Sequence, residues 1–394
     1  MKYFLTLLTL TFFAYGCSDN CTRTRTVMQL VPVYKSSSEI LKDPVSMNPV
    51  DVKNPGKIYL YGDYILLNEL AEGLHIIDNS NPSDPENIAF VEIPGNVDMA
   101  VRNNTLYADN YTDILAIDIA DIKNIKLIQR KPNVIPNRFR AYDENPGDDQ
   151  IVVALEEEFV EVEVSCPEGN SFFGGDDDDD EVVNFDRSQM NFNAPVNNTG
   201  VGGSMARFTI AKDVLYIVDE TSLHTIPFNG RTLGENREIH LSNMGNVIET
   251  IFPYGDHIFI GSQQLMYIYS IENPLMPDYV SQFWHSTACD PVVVEGDKAY
   301  VTVRSNGEVC GGTTNALYVI DISDIYNPQE IAQYSMQSPH GLGIDNDQLF
   351  ICEGEHGLKI FDASDPLAIT SNQTSHFDVH AYDVIPYQSR LLLV

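Results

Sequence analysis

The stretch Leu317 to Asp324, LYVIDISD, recurs in altered form along the chain, and this recurrence restricts the fold more than any other feature. Leu74 to Asn79 reads LHIIDN, Leu115 to Ile119 reads LAIDI and Leu358 to Ala363 reads LKIFDA. Each is a short apolar run that ends near an aspartate: Asp78, Asp118, Asp321 or Asp362. The spacings are 118 − 78 = 40 and 362 − 321 = 41. Around each run lie a first strand, a turn, a second strand with a Leu-Tyr-like pair, and a weaker fourth strand. One copy shows all four as VDMAV, TLYAD, ILAIDI and IKLIQR, separated by turn residues such as Asn103-Asn104 and Asp121. A four-stranded unit of this period is the signature of a propeller blade, so the expected fold is an all-β propeller.

Degenerate copies fill the intervals. Arg140 to Ser165 carries QIVVAL and FVEVEV, Arg207 to Phe228 carries VLYIVD and LHTIPF, and Glu249 to Ile271 carries HIFIGS and LMYIYS. Counting from Lys57, Asp98, Arg140, Arg207, Glu249, Asp290, His340 and Asp383 gives eight copies, seven of them with both middle strands. Eight blades is the first expectation and seven the alternative. The copy at Asp383 stops within its second strand at Val394, which leaves two expectations: the chain is a fragment, or the strand-like run Val27 to Tyr34 adds a strand and closes the ring. The implied divisions are a signal at 1–16, a tether with an N-terminal strand at 17–55, and the propeller at 56–394 with an acidic insertion at 167–203. That insertion holds five consecutive Asp but lacks the alternating spacing of a calcium loop, so it reads as a solvated surface loop.

Formal charge is −34, from 23 basic and 57 acidic residues. Such a surface repels phosphate backbones, which argues against a nucleic-acid partner. At the N-terminus Lys2 precedes an apolar run, Phe4 to Phe13, too short to span a bilayer, which leads into Ala14-Tyr15-Gly16-Cys17. This pattern resembles the bacterial lipoprotein signal, which implies lipidation of Cys17 and a membrane-tethered chain. An ordinary secretory signal with an incidental Cys is the alternative. Ser18-Asp19 resembles part of a surface-export tag, which puts the expected location at the outer membrane and extends it to the cell surface. Cys289 and Cys310 flank one strand and its loop, where a disulfide would staple the loop. Cys352 falls in the apolar strand LFICE and reads as a buried thiol. Cys21 and Cys166 have no evident partner but each other. No Cys/His spacing suggests zinc, and no cofactor motif is present.

LYVIDISDIYNP at Leu317 to Pro328, LKIFDASDP at Leu358 to Pro366, LHIIDNSNPSDP at Leu74 to Pro85, and IPGNVDMAV before TLYAD resemble the LVIVD repeats of bacterial, often Bacteroidota, surface lipoproteins. The resemblance covers most of Lys57 to Val394. It implies a propeller on a lipid anchor and carries no activity with it.

The motif aspartates sit where a turn needs a carboxylate to accept backbone N–H bonds, so they read as structural. The better candidate site is the start of each first strand. Aligned on their second strands, the copies place Lys57, Asp98, Arg140, Arg207, Glu249, Asp290, His340 and Asp383 in one register. In a propeller these would ring one mouth of the channel, either pairing with one another or holding a polar ligand. His340 and His380 invite a metal or general-base reading, but no tight His spacing supports it. The expected function is a non-enzymatic binding scaffold for an envelope protein or glycan. The alternative is a polysaccharide-directed hydrolase or lyase at the channel mouth, and a purely structural envelope component is a third reading.

Overall fold

A computed structural model describes residues 22–139, 149–165, 201–241, 247–286, 291–305, 313–387 and 390–394. Two compact units are present, one of Met1–Val31 with Leu155–Val183 and one of Pro32–Ala154 with Asn184–Val394. The strand Thr22–Ser36 pairs with Gln150–Ser165 in a two-stranded sheet.

The second unit is a ring of six antiparallel sheets, a β-propeller. Blade 1 is built on Pro55–Tyr61, Tyr64–Glu69, Gly73–Asp78 and Glu86–Glu92. Val201–Gly202 adds to its inner edge and Val45–Met47 to its outer edge. The first strands of blades 2 to 6 are Met99–Arg102, Phe208–Ala211, Ile248–Tyr254, Val292–Glu295 and Leu342–Asp345. Each is followed outward by its second, third and fourth strands. The last elements, Val384–Tyr387 and Arg390–Leu393, form a two-stranded sheet.

The blade count is therefore six, not eight or seven, and two copies account for the difference, 8 − 2 = 6. The copy from Arg140 makes no blade. Its two apolar runs are joined by Glu156-Glu157-Glu158, with no Gly, Asn or Asp to reverse the chain, so they continue as the single strand Gln150–Ser165. The copy from Asp383 contributes the two-stranded sheet alone. Val27 to Tyr34 does not close a blade either. It lies within Thr22–Ser36, whose partner is Gln150–Ser165.

The motif runs are the third strands. Leu317 to Asp321 pairs with Lys298 to Thr302 on one side and Gln329 to Tyr334 on the other, buried from Leu317 to Ile320. A two-sided partner explains the continuous apolar run, since both faces meet neighbouring blades. A one-residue register shift interrupts the pairing of third and fourth strands in five blades, at Ile76/Ile77, Leu127/Gln129, Ile268/Tyr269, Val319/Ile320 and Ile360/Phe361. Such bulges increase the local twist that stacks one blade on the next. The apolar clusters lie between blades. Ile58 and Leu60 of blade 1 pack with Ile385 and Leu392 of the terminal pair, and Cys352 of blade 6 packs with Ala381 and Val384. Cys352 is a buried free thiol. Cys17, Cys289 and Cys310 lie outside the described residues, as does nearly all of the acidic insertion.

Candidate functional site

Of the eight aligned ionisable residues, Arg140 and Asp290 lie outside the described residues. The other six occupy the starts of inner strands. Lys57 and Glu249 lie within the first strands of blades 1 and 4. Asp98, Arg207, His340 and Asp383 immediately precede theirs, His340 by two residues. Lys57, Asp98 and Asp383 are buried, at 3%, 3% and 4% exposure.

The two aspartates act on backbone. Asp98 Oδ1 accepts from the N–H of Met99 at 2.7 Å. Its Oδ2 accepts from Arg207 N–H at 3.0 Å and Phe208 N–H at 2.8 Å, the amides that open blade 3. Asp383 Oδ1 accepts from Ser204 N–H at 3.0 Å, Ser204 Oγ at 3.2 Å and Val384 N–H at 2.9 Å. Ser204 Oγ also accepts from Leu342 N–H of blade 6 at 2.6 Å. Burial raises the Asp98 carboxyl to about 7, with Lys57 opposing the rise. Burial also raises Asp383 well above the carboxylate range and pushes the Lys57 ammonium well below its ordinary value.

The chain itself occupies the middle of this ring. Ser204, Met205 and Ala206 are all buried, and their links reach several blades. Gly203 N–H donates to Ile58 O of blade 1 at 3.3 Å, and Ile251 N–H of blade 4 donates to Ala206 O at 2.6 Å. A side chain on Gly203 or Gly341 would collide with the Asp383 carboxylate, so both close approaches require glycine.

His340 is committed to structure as well. Its N–H donates to Cys352 O at 2.7 Å, and Nδ1 lies 2.8 Å from Ser338 O, so Nδ1 carries the proton. Burial, with Arg304 and His380 nearby, lowers it to about 4. With Nδ1 protonated, Nε2 keeps its lone pair, and burial makes that nitrogen a weak base near neutrality.

A second set of buried carboxylates escapes a search centred on the motif. Glu69, Asp109, Asp219 and Glu353 lie at or next to the ends of second strands and are 2%, 5%, 6% and 0% exposed. Glu69 accepts from Lys53 N–H at 3.0 Å and from Asn54 N–H, and Glu353 from Gln337 N–H at 2.6 Å. Asp109 Oδ1 accepts from Asn96 Nδ2, Val97 N–H and Asp98 N–H at 2.7, 2.9 and 2.9 Å. In these three blades the carboxylate ties the second strand to the chain entering its own first strand. The signal is in the sequence, because 78 − 69, 118 − 109 and 362 − 353 all equal 9.

Two of these acids carry a histidine. His75 Nε2 meets Glu69 Oε2 at 2.8 Å, and Asn87 Nδ2 donates to His75 Nδ1 at 3.3 Å. His224 Nε2 meets Asp219 Oδ2 at 2.8 Å, and Asn236 Nδ2 donates to His224 Nδ1 at 3.2 Å. Glu238 stands near the second pair, so Asp219, His224 and Glu238 could converge on a cation. The carboxylate–His–Asn chain recurs in blade 1, where Phe90 stands opposite the histidine in place of Glu238, and Glu238 itself accepts from Ser222 Oγ at 2.8 Å.

Beside Asp98 and Asp109 a pocket of about 50 Å³ opens between blades 2 and 3, lined among others by Tyr111, Arg138, Arg207 and Glu220.

No protein-family model and no curated protein matches the chain. Solved structures do. A protein from Lactobacillus plantarum aligns at 12% identity and a TM-score of 0.52, over 85% of this chain and 87% of that one. A protein of Bacteroides fragilis provisionally assigned as a 6-phosphogluconolactonase aligns at 8% identity and 0.52, over 89% and 86%. BamB from Moraxella catarrhalis aligns at 8% identity and 0.51, over 95% and 94%. At these identities the likeness is one of fold, and it places the ring among β-propellers.

Proposed function

We propose that the protein is a non-enzymatic binding scaffold of the bacterial envelope, held at the outer membrane by a lipid on Cys17 and presenting its blade loops to a protein or glycan. The observation that carries this reading is a repeated exposed apolar side chain. After the third strands of blades 4, 5 and 6, a turn closes from Met276 N–H to Asn273 O, from Asn327 N–H to Asp324 O, and from Ala368 N–H to Asp365 O. At the same position in those turns stand Leu275, Tyr326 and Leu367, 38%, 76% and 67% exposed. The preceding residues are fixed, with Pro274 O, Ile325 O and Pro366 O each accepting a hydroxyl at 2.7, 2.6 and 2.8 Å. Rigid turns that hold apolar groups in water suit recognition better than folding. The two buried aspartates of the ring, Asp98 and Asp383, are by contrast occupied by backbone amides.

Among the described residues no helix is long and apolar enough to cross a membrane. A tether through Cys17 supplies the attachment in this reading. Two measurements test it. Cys17→Ser should move the protein from the membrane to the soluble fraction. Surface crosslinking on intact cells should capture a reproducible partner with the wild type and lose it when Leu275, Tyr326 and Leu367 are all changed to Ser. Capture that survives the triple change contradicts the reading.

A further inference from the structure

In blade 3 the strands Ser222–Asn229 and Arg237–His240 pair so that Ser222 stands opposite His240 and His224 opposite Glu238. Residues directly opposite and two apart share one face of a sheet, so these four side chains project on the same side. Asp219, which follows the second strand, joins them there. One ligand atom from each of Asp219, His224 and Glu238 lies within 4.8 Å of the other two. Oxygen and nitrogen atoms bound to one ion at about 2.0–2.2 Å lie no more than about 4.4 Å apart, so small side-chain shifts bring the three onto a common point. Asp219 and His224 are buried, whereas Glu238 and His240 are exposed, which fixes the group on one side and opens it to water on the other.

Asp219 Oδ1 accepts from Thr221 N–H at 2.7 Å, Ser222 N–H at 3.0 Å and Thr221 Oγ at 3.1 Å, while Oδ2 faces His224 Nε2. Burial raises this carboxyl, and the bonds from His224 and Thr221 outweigh it, so the group is held below its ordinary value and ionised. Asn236 Nδ2 donates to His224 Nδ1, which puts the ring proton on Nε2, between the imidazole and Asp219. Asn236 Oδ1 is shielded from solvent and has no hydrogen-bond partner among the described residues. An ion that takes the Nε2 lone pair moves the ring proton to Nδ1, and the Asn236 amide, turned over, accepts it through Oδ1. A ligating histidine held by an oxygen through its other nitrogen is the usual support of a metal site. Blade 1 repeats the His and the Asn without the ligands. Glu69 uses both oxygens on Lys53 and Asn54 N–H, and the Phe90 ring stands in the place of Glu238, 5.0 Å from the His75 ring.

We propose that Asp219, His224 and Glu238 bind a divalent first-row metal ion of the zinc type, with His240 or water in the fourth position. His240 Nδ1 lies 3.4 Å from Ser222 Oγ, which itself donates to Glu238 Oε1, so the second imidazole stands at the rim of the group. An imidazole beside two carboxylates favours Zn²⁺ over Mg²⁺ and Ca²⁺, which take oxygen ligands. The ion ties the exposed fourth strand of the blade to its third strand and to the end of its second. The site is independent of the scaffold reading, because partner capture on the blade loops can fail while ion binding holds.

The test is titration of the full chain, stripped of metal with a chelator, with Zn²⁺ in a buffer holding millimolar Mg²⁺ and Ca²⁺ to saturate the acidic surface. Calorimetry should show an equivalent bound with a Kd below about 10 μM. The ring nitrogen resonances of His224 should pass from the Nε2–H to the Nδ1–H form with the same saturation. Glu238 is exposed, so its replacement spares the fold. Glu238→Gln should weaken that equivalent by about tenfold or more, and Glu238→Phe, which copies blade 1, should remove it. Absence of Zn²⁺ binding below about 10 μM overturns the proposal, as does an equivalent that survives Glu238→Phe. Zn²⁺ held elsewhere, on surface carboxylates or thiols, would leave the His224 resonances unmoved, and that result overturns it too. The His224 resonances of the wild type decide the matter even where a variant fails to fold.

Discussion

Asp98 carries three backbone bonds in a site where its own charge is costly. Its carboxyl is raised to about 7 by burial, from an ordinary value near 4. A carboxyl raised on folding favours the folded state fully at low pH and loses that contribution as pH climbs through its folded value. Relative to Asp98→Asn, wild-type stability should therefore fall between about pH 4 and 7, by at most roughly 4 kcal/mol for three pH units. Urea unfolding of both proteins across that range measures it, and a flat difference contradicts it. Gly203 and Gly341 make the same point about Asp383. Either one changed to Ala must push the carboxylate off its partners, at about 1–3 kcal/mol. A thermal melt unchanged from wild type would show that the approach is not tight. The register of these residues was legible by aligning second strands, which put Asp98, Arg207 and Asp383 in view. Their partners were not, because a carboxylate that caps backbone and one that pairs with Lys look alike in a sequence.

The blade's third strand explains why the motif ends in aspartate. Asp78, Asp118, Asp321 and Asp362 each accept, through Oδ1, the N–H two residues on, at 2.9, 3.0, 2.9 and 3.0 Å. The hydroxyl and N–H of Ser323 hold the Asp321 carboxyl below its ordinary value, those of Ser364 do the same for Asp362, and the N–H and hydroxyl of Ser80 for Asp78. Asp118 is lowered to about 2, chiefly by Arg231. A lowered carboxyl contributes stability above its unfolded value and loses it as pH falls. Asp321→Ala should accordingly cost roughly 1 kcal/mol near neutrality and nothing at about pH 2, measured by denaturant unfolding. An equal loss at both pH values would mean that the carboxylate is not what matters there. The same element shows where the repeat misleads. The runs QIVVAL and FVEVEV have the apolar content of two blade strands, and apolar content does not say whether the chain turns between them. The three glutamates at 156–158 do, since they lack the residues a tight reversal needs. Reading turns before strands would have given one long strand and a lower blade count.

At the scale of the molecule, six blades and a terminal strand pair close around a segment of the chain's own backbone. The amides of Ser204, Arg207 and Phe208 are bound by carboxylates at the ends of inner strands, and Met205 and Ala206 are buried among the blades. In the ring interior Asp98 and Asp383 tie the chain's own backbone to the inner strands. Hydrogen exchange at single-residue resolution tests this arrangement most directly. The amides of Ser204, Arg207 and Phe208 should exchange as slowly as those of Leu215 and Ile217 in blade 3, opening only with global unfolding. Exchange of these three amides far ahead of the blade strands would contradict the account, since it would mean an open channel with its carboxylates free to meet a ligand.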